Sequence, residues 1–292
     1  MAVSIPSTPT RKRRTPNALL LLMPATLIVV VFFLLPLFIL LRYSFNQFVP
    51  GELMRSAFTL ENYVNFAGDP FYRNVLWTTI GMALICTLLS LVLAFPVAYV
   101  LARMTSRFKG LLIMLVVFPL LVGNEVRAAG WIALLGNQGF LNSTLVALGL
   151  IDSPIKIMYT PRAVAIGILA VVLPYMILTL QSVLEGIDTS LQEAALNLGA
   201  SPWTTFRTIT LPLAIPGVVA GTSLVFILCM NAYATPVLLG GPRFQMMAPS
   251  VYRQIAGVSN WPFGAAMAFV LMATTLALTV FSAVMLQRRY RG

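Results

Sequence analysis

The chain has 292 residues, of which 59% are hydrophobic and only 9% charged, with a net charge of +11 and a mean hydropathy of +0.90. That composition describes an all-α polytopic membrane protein and excludes an ordinary soluble domain. The basic residues stand at the ends of apolar runs without interleaved aromatics, so the charge reads as membrane topology and nucleic acid is not an expected partner.

A helix needs about 20 apolar residues to cross a bilayer core of roughly 30 Å. Six stretches meet that requirement, near 18–41, 75–102, 111–135, 162–184, 213–239 and 262–286. A basic tail, 1–17, carries Arg11, Lys12, Arg13 and Arg14 ahead of the first run. That run is too long for the apolar part of a signal peptide, and no small-residue cleavage site follows before Arg42, so a retained span is expected.

The segment 42–74 is expected to hold a short interfacial helix, LENYVNFA, opened by Thr59, and a second helix start at Asp69-Pro70. Its aromatics, Tyr63, Phe66, Phe71 and Tyr72, with Trp77 just beyond, suit either a headgroup belt or a surface for an extracytoplasmic partner. A core domain of five spans follows over 75–286, then a basic tail, 287–292.

Within the core, the outer half of the third span carries Asn124, Glu125, Arg127 and Trp131, readable as a structural ion pair, as snorkelling side chains or as groups facing a substrate. The fourth span offers Tyr175 and Thr179. The fifth offers Asn231 and Thr235 one turn apart, with Tyr233 and Pro236 beside them. Interhelical hydrogen bonding and a substrate pathway both account for such groups. Gly217 and Gly221 form a small-residue ridge suited to close helix packing. Prolines recur in the spans, at Pro24, Pro36, Pro96, Pro119, Pro174, Pro216, Pro236 and Pro262, and predict kinks around a cavity.

Between the fourth and fifth spans, Ser190 and Glu193 fit an S-x-x-E capping box, so a short helix is expected from Ser190. Gly199 suits its left-handed end. Ser201-Pro202 opens a second short helix, which Pro212 is expected to end near Leu211. The result over 190–211 is a hairpin of two helices presenting alanines and one carboxylate.

Lysine and arginine vote for cytoplasmic N- and C-termini: Arg103, Arg107, Lys109 and both tails fall on one side, outnumbering the basic residues of the other. Histidine is absent, and Cys86 and Cys229 lie inside apolar runs. Metal sites and Ser-His or Cys-His catalysis are therefore not expected, and the thiols read as small buried hydrophobes.

Glu193-Ala194-Ala195, three residues, Gly199, nine residues, Ile209, one residue, Leu211-Pro212 resembles the EAA motif of the permease subunits of ABC importers at every fixed position. Segments such as LLGNQGFLN, ALGLIDSP, TPVLLGGPR and NWPFGAA look like the spermidine/putrescine permease subfamily. The resemblance implies the type I importer (MetI-like) permease fold in a bacterial inner membrane, with an extra N-terminal span and cytoplasmic coupling helices. It implies that Glu193 pairs with a basic residue of an ATPase, that Ala194 and Ala195 pack at that contact, that Gly199 is the elbow, and that Ile209, Leu211 and Pro212 complete the coupling motif.

The implied partners are a second homologous permease subunit, two ATPase subunits and a periplasmic substrate-binding protein. No phosphate-binding loop of the G-x-x-x-x-G-K-[ST] type occurs in the sequence, so ATP and Mg belong on the ATPase partner and no cofactor is expected on this chain. The substrate-pathway candidates are Glu125, Arg127, Trp131, Tyr175, Asn231, Tyr233 and Thr235. Other cargoes of similar permeases, namely aminobutyrate, opines, aminophosphonates and ferric iron, stay open, as does a secondary transporter driven by an ion gradient.

Overall fold

The computed structural model describes residues 18–52 and 54–290. The basic residues of the N-terminal tail, and Arg291, lie outside that range.

The described chain is helical, with one isolated antiparallel bridge between Gln47 and Arg55. The first span is α1 (Ala18–Val29), a five-residue π turn, and α2 (Leu35–Ser44). A short α3 (Glu61–Gly68) follows in the 42–74 segment, where Thr59 Oγ1 accepts from the Glu61 N–H. The Asp69 carboxylate then accepts from the Phe71 N–H and opens α4 (Pro70–Arg103), a helix of 34 residues. The aromatics of this region do not form one belt. Trp77 is exposed, but Phe66 is buried and Tyr63 bonds Ser44 at 2.8 Å.

The stretch 111–135 is not the one straight span expected from its hydropathy. α5 (Lys109–Leu121) and α6 (Asn124–Leu135) meet at 98°, and α7 (Phe140–Ala147) continues from α6. Pro119 withholds one helical N–H near the end of α5, and Val122 and Gly123 then take extended backbone angles that turn the chain. Among the described residues, five helical stretches are long and apolar enough to cross a membrane, six if the bent pair counts as one.

α8 (Pro161–Glu185) is the fourth long helix, started by Thr160, whose hydroxyl accepts from the Ala163 N–H. The hairpin comprises α9 (Thr189–Asn197) and α10 (Pro202–Thr205). A π turn over Phe206–Thr210 leads without a break into α11 (Leu211–Met230). The expected fifth span, 213–239, is likewise divided: α11 ends at Met230, and α12 (Ala234–Gly240) is a separate helix. α13 (Met247–Tyr252) and α14 (Trp261–Tyr290) complete the order.

The core forms where α4, α8 and α11 cross. In lipid the hydrophobic effect gives little drive to helix association, so backbones must come close enough for dispersion contacts. Small residues permit this. Ala83, Ala94 and Ala98 of α4 and Ala214 of α11 are fully buried, and a Cβ on Gly217 would lie 2.8 Å from the Val183 Cβ of α8. Met176, Leu180 and Leu184 of α8 fill the space between. By contrast, Leu22 to Phe38 of the first span stay largely exposed, the faces that lipid solvates.

Candidate functional site

Two arrangements stand out, one at an end of the bundle and one inside it. At the end lies the hairpin. Asp188, not Ser190, is the N-cap of α9: its carboxylate accepts from the Ser190 N–H at 2.9 Å. That bond holds the Asp188 carboxyl below its usual range. The expected Ser190–Glu193 box is displaced because an aspartate two residues earlier supplies the stronger, charged acceptor. Gly199 takes φ +87°, and the Gly199 and Ala200 N–H groups close the α9 end on Leu196 and Ala195. Ser201 then caps α10 through the Thr204 N–H.

Pro212 does not end the second arm, contrary to expectation. The π turn just before it shifts the hydrogen-bond register, closing the Leu211 N–H on the Phe206 carbonyl, and this local widening accommodates the proline without ending the helix. The second arm of the hairpin is therefore one continuous helix with a transmembrane element.

Glu193, Ala194 and Gly199 are exposed and Ala195 is half-buried. Leu211 and Pro212 are exposed too, while Ile209 is half-buried. Around them, Leu198 is 89% exposed and Trp203 70% exposed, an apolar surface that polar loops at a membrane face do not normally show.

Four contacts that the sequence did not suggest close the hairpin and tie it and its flanks to the bundle. Gln192 Nε2 donates to Thr210 Oγ1 at 2.8 Å. Phe206 meets the rings of Phe95 and Tyr99 edge-on, with centroids 5.7 and 5.9 Å away on α4. Arg103 donates to the Ile187 carbonyl, and Lys109 pairs with Glu185 at 2.8 Å. Only the aromatic spacing of Phe95 and Tyr99 carries a signal in the sequence, and nothing local points it at Phe206.

Inside the bundle, Glu125, Tyr175, Asn231, Tyr233 and Thr235 line one cavity of about 250 Å³, together with Asn124 and apolar side chains of α8. The broken helices create it. Asn231 caps the end of α11 and donates to the Ile227 carbonyl, Tyr233 lies between α11 and α12, and Glu125 stands in the first turn of α6 beyond the 98° bend. Asn231 and Thr235 thus meet across a helix break, not one turn apart on a continuous helix.

Arg127 and Trp131 are elsewhere. Arg127 donates to Asn124 Oδ1 at 2.7 Å, makes no ion pair with Glu125 among the described residues, and does not line this cavity. Trp131 packs half-buried against the core.

Residues 83–292 match the family of binding-protein-dependent transport system inner membrane components. The chain belongs to that family. This transport component is 37% identical over 258 residues to the spermidine/putrescine transport system permease protein PotB of Escherichia coli K12, covering 88% of this chain and 91% of that protein. The PotB of Salmonella typhimurium LT2 is 38% identical over 88% of this chain and 87% of that protein. An inner membrane ABC transporter permease protein, YdcU of Escherichia coli K12, is 33% identical over 78% of this chain and 75% of its own length. The fold also matches a chain of a bacterial ABC transporter involved in the import of alginate, with TM-score 0.78 at 16% identity over 93% of this chain and 95% of that chain. The permease is thus a membrane component of an ABC importer, with the importer permease fold.

Proposed function

We propose that this permease carries a polyamine, spermidine or putrescine, across the inner membrane, and that the 189–210 hairpin is where ATP hydrolysis by a partner is converted into motion of the bundle. The observation that carries the cargo reading is the cavity holding Glu125 beside Tyr175 and Tyr233. A carboxylate and aromatic faces in a mostly apolar enclosure suit an alkylammonium chain, which needs countercharge at its ends and dispersion contacts between them. The identity to PotB proteins over most of both chains supports the same cargo.

The mechanical reading follows from connectivity. An ATPase subunit that grips Glu193, Ala194 and Ala195 on α9 pulls on a unit fastened to α4 through Phe206 and continuous with α11. Both helices belong to the core crossing. Displacement of the hairpin therefore tilts the helices around the cavity, a rigid-body change of access. ATP and Mg bind to two ATPase partners, a second homologous permease subunit completes the pathway, and a periplasmic protein delivers the cargo. Both termini of this chain are cytoplasmic.

Uptake of radiolabelled spermidine, putrescine and aminobutyrate in a strain lacking the system tests the cargo. Polyamine uptake restored by the wild type and lost with Glu125→Gln supports it. Restored uptake of aminobutyrate alone contradicts it.

A further inference from the structure

A second polar cavity, of about 300 Å³, lies at the far end of the bundle, between α3 and the start of α14. Tyr72 lines it at the first turn of α4, and Arg103 fastens the hairpin at the last turn of that helix. A rise of ~1.5 Å per residue separates the two by roughly 45 Å. The cavity lies at the end of the bundle away from the hairpin and shares no lining residue with the central one. Glu61, Asn62 and Tyr72 precede residue 83, where the match to the family begins, whereas Gln254 and Phe263 lie within it.

Glu61, Asn62, Asn65, Gln254 and Asn260 give this cavity its polar lining. Asn62 is only 6% exposed, and its Nδ2 donates to the Ser44 and Asn46 carbonyls, both at 2.8 Å. Two carbonyl acceptors fix that amide the right way round. Its Oδ1 accepts from no donor among the described residues, although the side chain as a whole is buried. Gln254 spends its Nε2 on the Tyr72 hydroxyl at 2.8 Å. Glu61 is the cavity's one carboxylate, makes no ion pair among the described residues, and receives only a long 3.4 Å contact from Gln47 Nε2. Tyr72 and Phe263 meet edge to face, centroids 4.8 Å apart, and form an aromatic wall.

We infer that this outer cavity binds a primary alkylammonium group, with Glu61 as countercharge, Asn62 Oδ1 as a hydrogen-bond acceptor and the Tyr72–Phe263 pair as the wall for the adjoining methylenes. An ammonium supplies three donors and a positive charge where the protein offers a carboxylate and the Asn62 amide oxygen. A bare metal ion has no methylenes to lay against the aromatic wall, while an alkylammonium gains dispersion contact there as well as cation–π attraction. The site adds to the proposed function a holding point on the outer face, before the central cavity is reached.

Equilibrium binding of radiolabelled putrescine to the full chain in detergent, in a Glu125→Gln background that disables the central cavity, tests the assignment. Glu61→Gln is expected to weaken the remaining binding by about tenfold or more, the effect of losing one charge-assisted contact. Glu61→Asp is expected to restore most of it, and n-butylamine but not n-butanol to compete. Binding unchanged by Glu61→Gln overturns the assignment. So does loss in Glu61→Asp accompanied by a lower melting temperature, which marks Glu61 as structural, or equal competition by sodium or calcium, which marks a simple cation site. Failure here leaves the uptake assay untouched, and failure of polyamine uptake leaves this binding measurable.

Discussion

Gln192 Nε2 donates to Thr210 Oγ1 across 2.8 Å and so closes the base of the hairpin, joining α9 to the π turn that runs into α11. Thr210 is buried and Gln192 half-buried, so the bond sits where water competes weakly. It lets a push on α9 reach the bundle directly as well as through the elbow at Gly199.

Replacing Gln192 by Ala is expected to destabilise the chain by only about 1 kcal/mol, the usual net worth of one such bond. Transport should suffer more than stability: ATP-driven uptake should fall several-fold while the melting temperature shifts by a few degrees. Uptake and thermal unfolding measured on one preparation check this, and equal proportional losses would count against a role in transmission.

At Gly199 the cost is conformational. Its φ is +87°, yet a Cβ there would meet nothing within 4 Å. A β-branched residue is excluded by backbone strain of roughly 1–2 kcal/mol, with no clash to relieve. Gly199→Val should therefore weaken both hairpin order and activity, and Gly199→Asn, which tolerates this region, should retain much of each. Hydrogen exchange of the 196–204 amides in both variants provides the readout.

Gly217 presents the opposite case. The Val183 Cβ would lie 2.8 Å from an added Cβ, and Val183 branches there and has no flexible end to move. Gly217→Leu is expected to separate α11 from α8 at a cost of about 1–3 kcal/mol or more. Gly217→Leu combined with Val183→Ala should recover part of it. A double-mutant cycle in thermal unfolding would show the coupling.

The Asp188 cap gives a pH dependence with a definite sign. The Ser190 N–H lowers the carboxyl's folded value below its unfolded one. Its contribution is thus present above the ordinary carboxylate range, near ~3.9, and is lost as pH falls through the lower folded value. Proteolysis within 189–200 should accelerate as the medium is acidified from about pH 5 to pH 3. Asp188→Ala should show fast cleavage at both ends of that range.

How much of this was legible in the sequence depends on how local each cause is. Gly199, Ser201-Pro202 and Asp69-Pro70 act within a few residues, and each sits where the sequence puts it. Prolines are less informative. Pro96, Pro174 and Pro216 all lie inside unbroken helices, whereas Pro119 precedes a 98° bend. The difference is that Pro119 is followed at once by Val122 and Gly123 in extended conformation, so the helix is not resumed in line. Pro212 was misread for a related reason, since a π turn leaves no periodic mark in five residues. The central cavity is more distant still: Glu125 and Tyr175 meet only because a broken α6 folds toward α8, and the same rule that flagged Glu125 also flagged Arg127, which faces elsewhere.

The central claim is that the α9 surface is held by an ATPase subunit. A photo-crosslinking amino acid placed at Ala194, in cells expressing the whole transport system, tests it most directly, with mass spectrometry of the purified adduct. The account predicts one dominant adduct, to the ATPase, weakened or lost when Glu193 is also changed to Arg. An adduct only to lipid or to this chain's own tails, with transport intact in the Glu193→Arg variant, would contradict it.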